Sequence, residues 1–84
     1  MAAPRTIAES ARWIVYEFPH VREPRGAFIR RKLDGREAYA QPSLAADLRS
    51  ALTALDVEFD AKEDQRMKDH CFNVLCAEHF DASR

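Results

Sequence analysis

The chain has two glycines, two cysteines, one tryptophan and almost no net charge, and each scarcity removes a class of function. Gly26 and Gly35 stand apart, so no glycine-rich loop can cradle a phosphate through backbone N–H groups. No segment approaches the ~18 consecutive apolar residues that a membrane-spanning helix needs, and no membrane partner is expected. A net charge of −1 is not that of a dedicated duplex binder, which uses an excess of Lys and Arg to displace phosphate counterions. The opening Met-Ala-Ala-Pro-Arg-Thr lacks the apolar core of a signal peptide, so the expected location is the cytoplasm.

Scarce cysteine says more. Cys71 and Cys76 lie five apart in a segment with helical patterning. At a rise of roughly 1.5 Å per residue their Cα atoms are too far apart, and on different faces, for a mutual disulfide. Two reduced thiols fit a reducing compartment. His70, Cys71, Cys76 and His79 are zinc-ligand types, yet zinc needs ligands that converge on one point. Of these four only Cys76 and His79 share a side of the helix. No metal or other cofactor is expected. The same Cys76–His79 pair is the only local nucleophile and base, and it has no third group to orient it. The chain therefore reads as a non-enzyme, with no catalytic residue assigned.

What is present is a charge split. Residues 1–42 hold eight Lys or Arg against five acids, an excess of +3. Residues 43–84 hold five against nine, an excess of −4. Arg30, Arg31, Lys32 and Arg36 gather at one predicted hairpin. Eighty-four residues make one small domain, 1–84, with disordered tails expected at 1–5 and 81–84.

Local signals place the elements. Thr6-Ile7-Ala8-Glu9 and Asp60-Ala61-Lys62-Glu63 match the capping box, in which a side chain caps a helix and a Glu three residues on reaches back. The first predicts a helix from about Ile7 to Glu17, ended by Pro19. Asp34-Gly35 predicts a two-residue hairpin turn, pairing Lys32 with Glu37 and Arg30 with Tyr39. Alternation points Ile29, Leu33, Ala38 and Ala40 to a core. Phe28, Arg30, Lys32, Glu37, Tyr39 and Gln41 point away from it. Pro42-Ser43 then caps a helix from Leu44 to about Leu55, with Leu44, Leu48, Ala51, Leu52 and Leu55 as its apolar stripe. A last helix is expected from about Ala61 to His79. The resulting class is α+β: helix, two-stranded antiparallel hairpin, then two helices. The alternative makes residues 12–18, rich in strand formers, a third strand beside the hairpin.

On the helical reading Trp13 and Tyr16 share an exposed charged face with Arg12. Large aromatics among charges are what a protein-binding hot spot looks like. Trp13, Tyr16 and Arg12 are therefore the expected protein contacts, with Arg30 and Lys32 as steering charges. Phe72 and Cys76, on a broad apolar arc of the last helix, are the expected self-association residues, so a homodimer is possible on this reading. The alternative partner is a nucleic acid, met by Arg25, Phe28, Arg30, Lys32 and Tyr39, where bases and aromatics interleave.

Residues Arg25 to Leu55, a strand–Asp-Gly–strand unit followed by an Ala- and Leu-rich helix, resemble the small arm-binding domains of phage tyrosine integrases. That resemblance implies a three-stranded sheet laid into DNA, with Trp13–Phe18 as the third strand. Small size, no catalytic set and opposed charge patches are also similar in type to phage- or mobile-element-encoded inhibitors of bacterial machinery, anti-CRISPR proteins included. The function expected from the residues is that of a small protein-binding regulator or inhibitor occupying a surface on a larger partner.

Overall fold

Strand formers decide the N-terminal half. A computed structural model describes residues 3–84 and places four strands before two helices. The strands are β1 (Arg5–Glu9), β2 (Trp13–Glu17), β3 (Ala27–Arg31) and β4 (Glu37–Ala40). The helices are α1 (Pro42–Lys62) and α2 (Gln65–Ala82). The strands form one antiparallel sheet in the order β1-β2-β3-β4. Residues 1–2, part of one expected tail, lie outside the described residues. Arg5 belongs to β1, and Asp81 and Ala82 belong to α2.

The expected leading helix is absent; β1 and β2 occupy its residues. Thr6 and Glu9, expected as the cap and its return, instead pair with Tyr16 and Ile14 across the ladder. An isolated helix of this length is marginal in water, whereas Trp-Ile-Val-Tyr gains cross-strand partners on both sides. Burial in β2 alternates with period two: Trp13, Val15 and Glu17 inward, Ile14 and Tyr16 outward.

The β3–β4 hairpin forms at Asp34-Gly35 but with a longer loop. Arg30 pairs with Glu37 and Ile29 with Ala38, two residues out of the expected register. The Arg31 guanidinium grips Asp34 at 2.7 and 3.1 Å, and the Asp34 carboxylate accepts the Arg36 N–H. Gly35 takes the left-handed conformation (φ 73°) and its N–H donates to the Arg31 carbonyl. A two-residue shift keeps parity, so the faces are those expected except at Leu33. That side chain is in the loop and 90 % exposed, not in the core.

α1 starts at Gln41 as N-cap, with Pro42 rather than Ser43 at its first position. It runs through Val57-Glu58-Phe59 because Phe59 continues the stripe of Leu48, Leu52 and Leu55 and is itself buried. The break comes at Glu63, in the left-handed region (φ 54°), and Asp64 caps α2 by accepting the Met67 N–H at 3.1 Å. The expected Asp60–Glu63 box is therefore not a start signal; the cap sits one turn later. Lys68 of α2 bridges Asp56 and Asp60 of α1 at 2.9 and 3.0 Å, and those two carboxylates raise its pKa.

Both helices lie on one side of the sheet. Ala45, Leu48, Leu52, Phe72, Cys76 and Phe80 meet Trp13, Val15, Ala27, Ile29, Ala38 and Ala40 in a single core. Alanines on β3 and β4 let the helices approach closely. Gly26 does the same for its own loop, since a Cβ there would collide with the Ala40 carbonyl and the Tyr39 ring.

Three expected contact residues are interior. Trp13 is buried with its ring edge-on to Phe80 at 5.4 Å, because a strand sends it opposite to Tyr16. Phe72 and Cys76 face the sheet, which corrects their expected role in self-association. Burial pushes the Cys76 thiol up to about 12, so it stays protonated.

Trp13→Ala is expected to lower unfolding stability by about 3–5 kcal/mol, as for a large core side chain. Urea denaturation followed by circular dichroism measures this. A shift below ~1 kcal/mol would place the indole at the surface instead.

Candidate functional site

The side of the sheet away from the helices is the functional candidate. Two rows of side chains cross it. Thr6, Tyr16, Phe28 and Tyr39 are register partners from β1 to β4. Glu9, Ile14, Arg30 and Glu37 form the next row. Phe18, just past β2, lies beside the first row and packs against Tyr16 and Phe28. An antiparallel sheet with one face on a core normally alternates apolar-in with polar-out. Here three of the four positions in the first row are aromatic.

The rings contact one another. Tyr16 stacks on Phe28 at 5.2 Å with 12° between planes. Phe18 meets both edge-on at 5.9 and 5.6 Å, Phe28 meets Tyr39 at 5.1 Å, and His20 meets Phe18 at 5.8 Å. Such pairs contribute about 0.5–1.5 kcal/mol each beyond the area they bury. Tyr16, Phe18 and Phe28 are half-buried, and Tyr39 is 47 % exposed at the β4 edge.

Charges fringe the patch, and they are matched. Arg30 pairs with Glu37 at 3.0 Å, and the Tyr16 hydroxyl donates to the same carboxylate at 2.8 Å. Lys32 reaches across the sheet to Glu9. Partial burial and the Glu37 carboxylate raise the Tyr16 pKa, with Arg30 opposing them, so the phenol stays protonated and donating. The Arg31–Asp34 pair holds the loop, and that guanidinium depresses the Asp34 carboxyl to about 2. The basic cluster of the hairpin is therefore largely neutralised, by Asp34 and Glu37 within the hairpin and by Glu9 from β1.

The expected contact residues divide between the two sides. Tyr16, Phe28, Arg30, Lys32 and Tyr39 come together on the open face. Arg12 is exposed in the β1–β2 turn, where its carbonyl accepts the Lys32 N–H. Trp13 is on the opposite side. Arg25 is removed from the face as well: it is tied to Glu17 at 2.8 Å and to the carbonyls of Pro19 and Val21. Ile14, Phe18 and Glu37 join the site without having been singled out. Strand parity through residues 13–18 is the signal that finds Ile14 and Phe18.

Glu17 is the other centre. Parity sends this carboxylate inward, where its side chain is 5 % exposed and bonded by three guanidiniums. Arg5 comes from β1, Arg25 from the β2–β3 loop and Arg49 from α1, the last at 2.8 Å. Burial alone would raise its pKa, but bonds from Arg5 and Arg25 and the Arg49 charge outweigh burial and lower it.

Among the described residues no group of three or more His, Cys, Asp or Glu is placed to hold a metal ion, and no helix is long and apolar enough to cross a membrane. Comparison with protein-family models, curated proteins and solved structures finds no match.

A carboxyl with a lowered folded-state pKa stabilises the fold above its unfolded value near 4.5 and loses that contribution as pH falls through the folded value. Stability is therefore expected to drop below about pH 4.5, and Glu17→Gln should flatten that drop. At pH 7 the same variant leaves three guanidiniums around a neutral amide, at a cost on the order of 3 kcal/mol. Urea midpoints of both proteins from pH 3 to 7 test this. Parallel curves would assign the acid sensitivity to other carboxylates.

Proposed function

We propose that this protein is a small, non-enzymatic protein-binding regulator or inhibitor that places the open face of its sheet on a larger partner. One observation carries the reading: four aromatic rings in mutual contact stand on a sheet face that no described element covers. Contiguous apolar surface rimmed by polar groups is the form of an interaction site. Tyr and Arg are the residue types that dominate binding energy in such sites. Aromatic anchors at the centre, with Arg30–Glu37 and Lys32–Glu9 at the rim, match the anatomy of a hot-spot cluster inside a polar ring.

Two features favour a protein over a nucleic acid here. Tyr16 and Phe28 each give one ring face to the other, which leaves fewer free faces on which a base could stack. Arg30, Lys32 and Arg31 already hold carboxylates, which must be released before phosphates can be gripped. The nucleic-acid reading thus becomes an outcome of the test.

The protein is captured from lysate of its own cells, with and without nuclease digestion, alongside Phe28→Ala and Tyr39→Ala variants. A Val57→Ala variant, altered at a side chain 72 % exposed on α1, is the control. A stoichiometric protein partner should accompany the parent and the control. Each sheet variant should bind it at least ~2 kcal/mol more weakly while keeping a folded spectrum. Equal recovery by all variants, or nucleic acid as the sole companion before digestion, contradicts the proposal.

A further inference from the structure

The guanidiniums around Glu17 outnumber what one carboxylate needs, and the excess faces a cleft. Arg5, Arg25 and Arg49 line it with Glu17, Glu23, Pro24, Pro42 and Ala46, enclosing about 590 Å³. Arg25 is spent: its guanidinium reaches Glu17, Glu23 and two loop carbonyls. Arg49 is partly spent, on Glu17 and the carbonyls of Arg25 and Gly26. Arg5 makes a single bond, to Glu17, among the described residues, and its side chain is 60 % exposed. Most of its five-donor fork is free for another acceptor.

The neighbouring chain adds to the field. α1 begins at this cleft with Pro42 and Ala46 in its wall, no acid in its first turn and no side-chain cap. The positive end of its dipole is thus uncompensated beside the arginines. Glu23 is the only other acid in the wall; its side chain is 78 % exposed and engaged with Arg25. The prolines and the bonds holding Arg25 and Arg49 fix the geometry in advance, which reduces the ordering cost of binding.

We infer that the Arg5–Arg49 cleft binds a small phosphate-bearing anion, with Arg5 and Arg49 as its direct ligands and Glu17 holding both in place. Planar guanidiniums present paired donors to tetrahedral oxyanions and are the preferred groups for them. The site lies on the helix side of the sheet, remote from the aromatic face, so it does not depend on the protein-binding reading.

The test titrates inorganic phosphate against the purified protein at pH 7, with chloride replaced so that ionic strength is constant. The arginine Nε–H resonances and the thermal midpoint are followed together. Saturable shifts at Arg5 and Arg49 and a rising midpoint are expected. Arg5→Gln should weaken binding about tenfold or more, and Arg66→Gln, which removes a charge elsewhere, should leave it unchanged. A parallel titration with glycerol phosphate separates the sources: tighter binding of glycerol phosphate than of the inorganic ion identifies a phosphate monoester, a response to the inorganic ion alone identifies free phosphate. No saturable shift in the parent, or equal loss in Arg5→Gln and Arg66→Gln, overturns the assignment. Because the resonances are read on the unaltered protein, the result stands even if Arg5→Gln folds poorly.

Discussion

The buried carboxylate of Glu17 is the constraint on which the rest of the structure depends. It gathers Arg5 from the first strand, Arg25 from the long loop and Arg49 from the first helix, so one side chain joins sheet, loop and helix. A carboxylate this enclosed is tolerable only with full compensation, because an unpaired one costs several kcal/mol. The compensation is geometrically demanding. Arg25 must reach back over its own loop to the Pro19 and Val21 carbonyls, and Arg49 must reach the Arg25 and Gly26 carbonyls. The loop between β2 and β3 is thereby held although it contains no regular element of its own.

That arrangement explains the division of labour between the two sides of the sheet. Inward positions combine the Glu17 centre with Trp13, Val15, Ile29 and the small residues Ala27, Ala38 and Ala40, against which both helices settle. Outward positions are then free of any structural duty to the helices, and they carry Tyr16, Phe18, Phe28 and Tyr39. A soluble sheet face with only a solvation role would carry Thr, Lys and Glu at these positions. Aromatic rings there lower solubility, and the proposed contact with a partner would account for them. The rim charges reinforce this. Arg30–Glu37 and Lys32–Glu9 are closed pairs, which on the proposed reading would orient a partner more than add to its affinity.

Much of this was legible in the chain, and the exceptions have physical causes. The α+β class, the Asp34-Gly35 hairpin and the outward side of Phe28, Arg30 and Tyr39 all follow from local chemistry. The hairpin register was two residues out because Arg31 and Asp34 stabilise a longer loop through a side-chain pair that turn rules do not include. Residues 6–17 were the main divergence. A capping box is a local signal worth about 1 kcal/mol, whereas pairing on both edges of β2 is a cooperative tertiary gain. Strand geometry then reversed Trp13 relative to Tyr16, turning an expected contact into core. Glu17 was invisible as a centre because its three partners lie 8 to 32 residues away. Nothing in the spacing of those arginines marks them as a set.

The most direct measurement of the account is amide chemical-shift mapping of the protein with the partner that accompanies it from its own cells. The account predicts shifts concentrated at Ile14, Tyr16, Phe18, Phe28, Arg30, Glu37 and Tyr39, with the outer surfaces of α1 and α2 unmoved. Shifts centred instead on the exposed helix positions Val57, Met67 and Val74, with the sheet face unchanged, would contradict it.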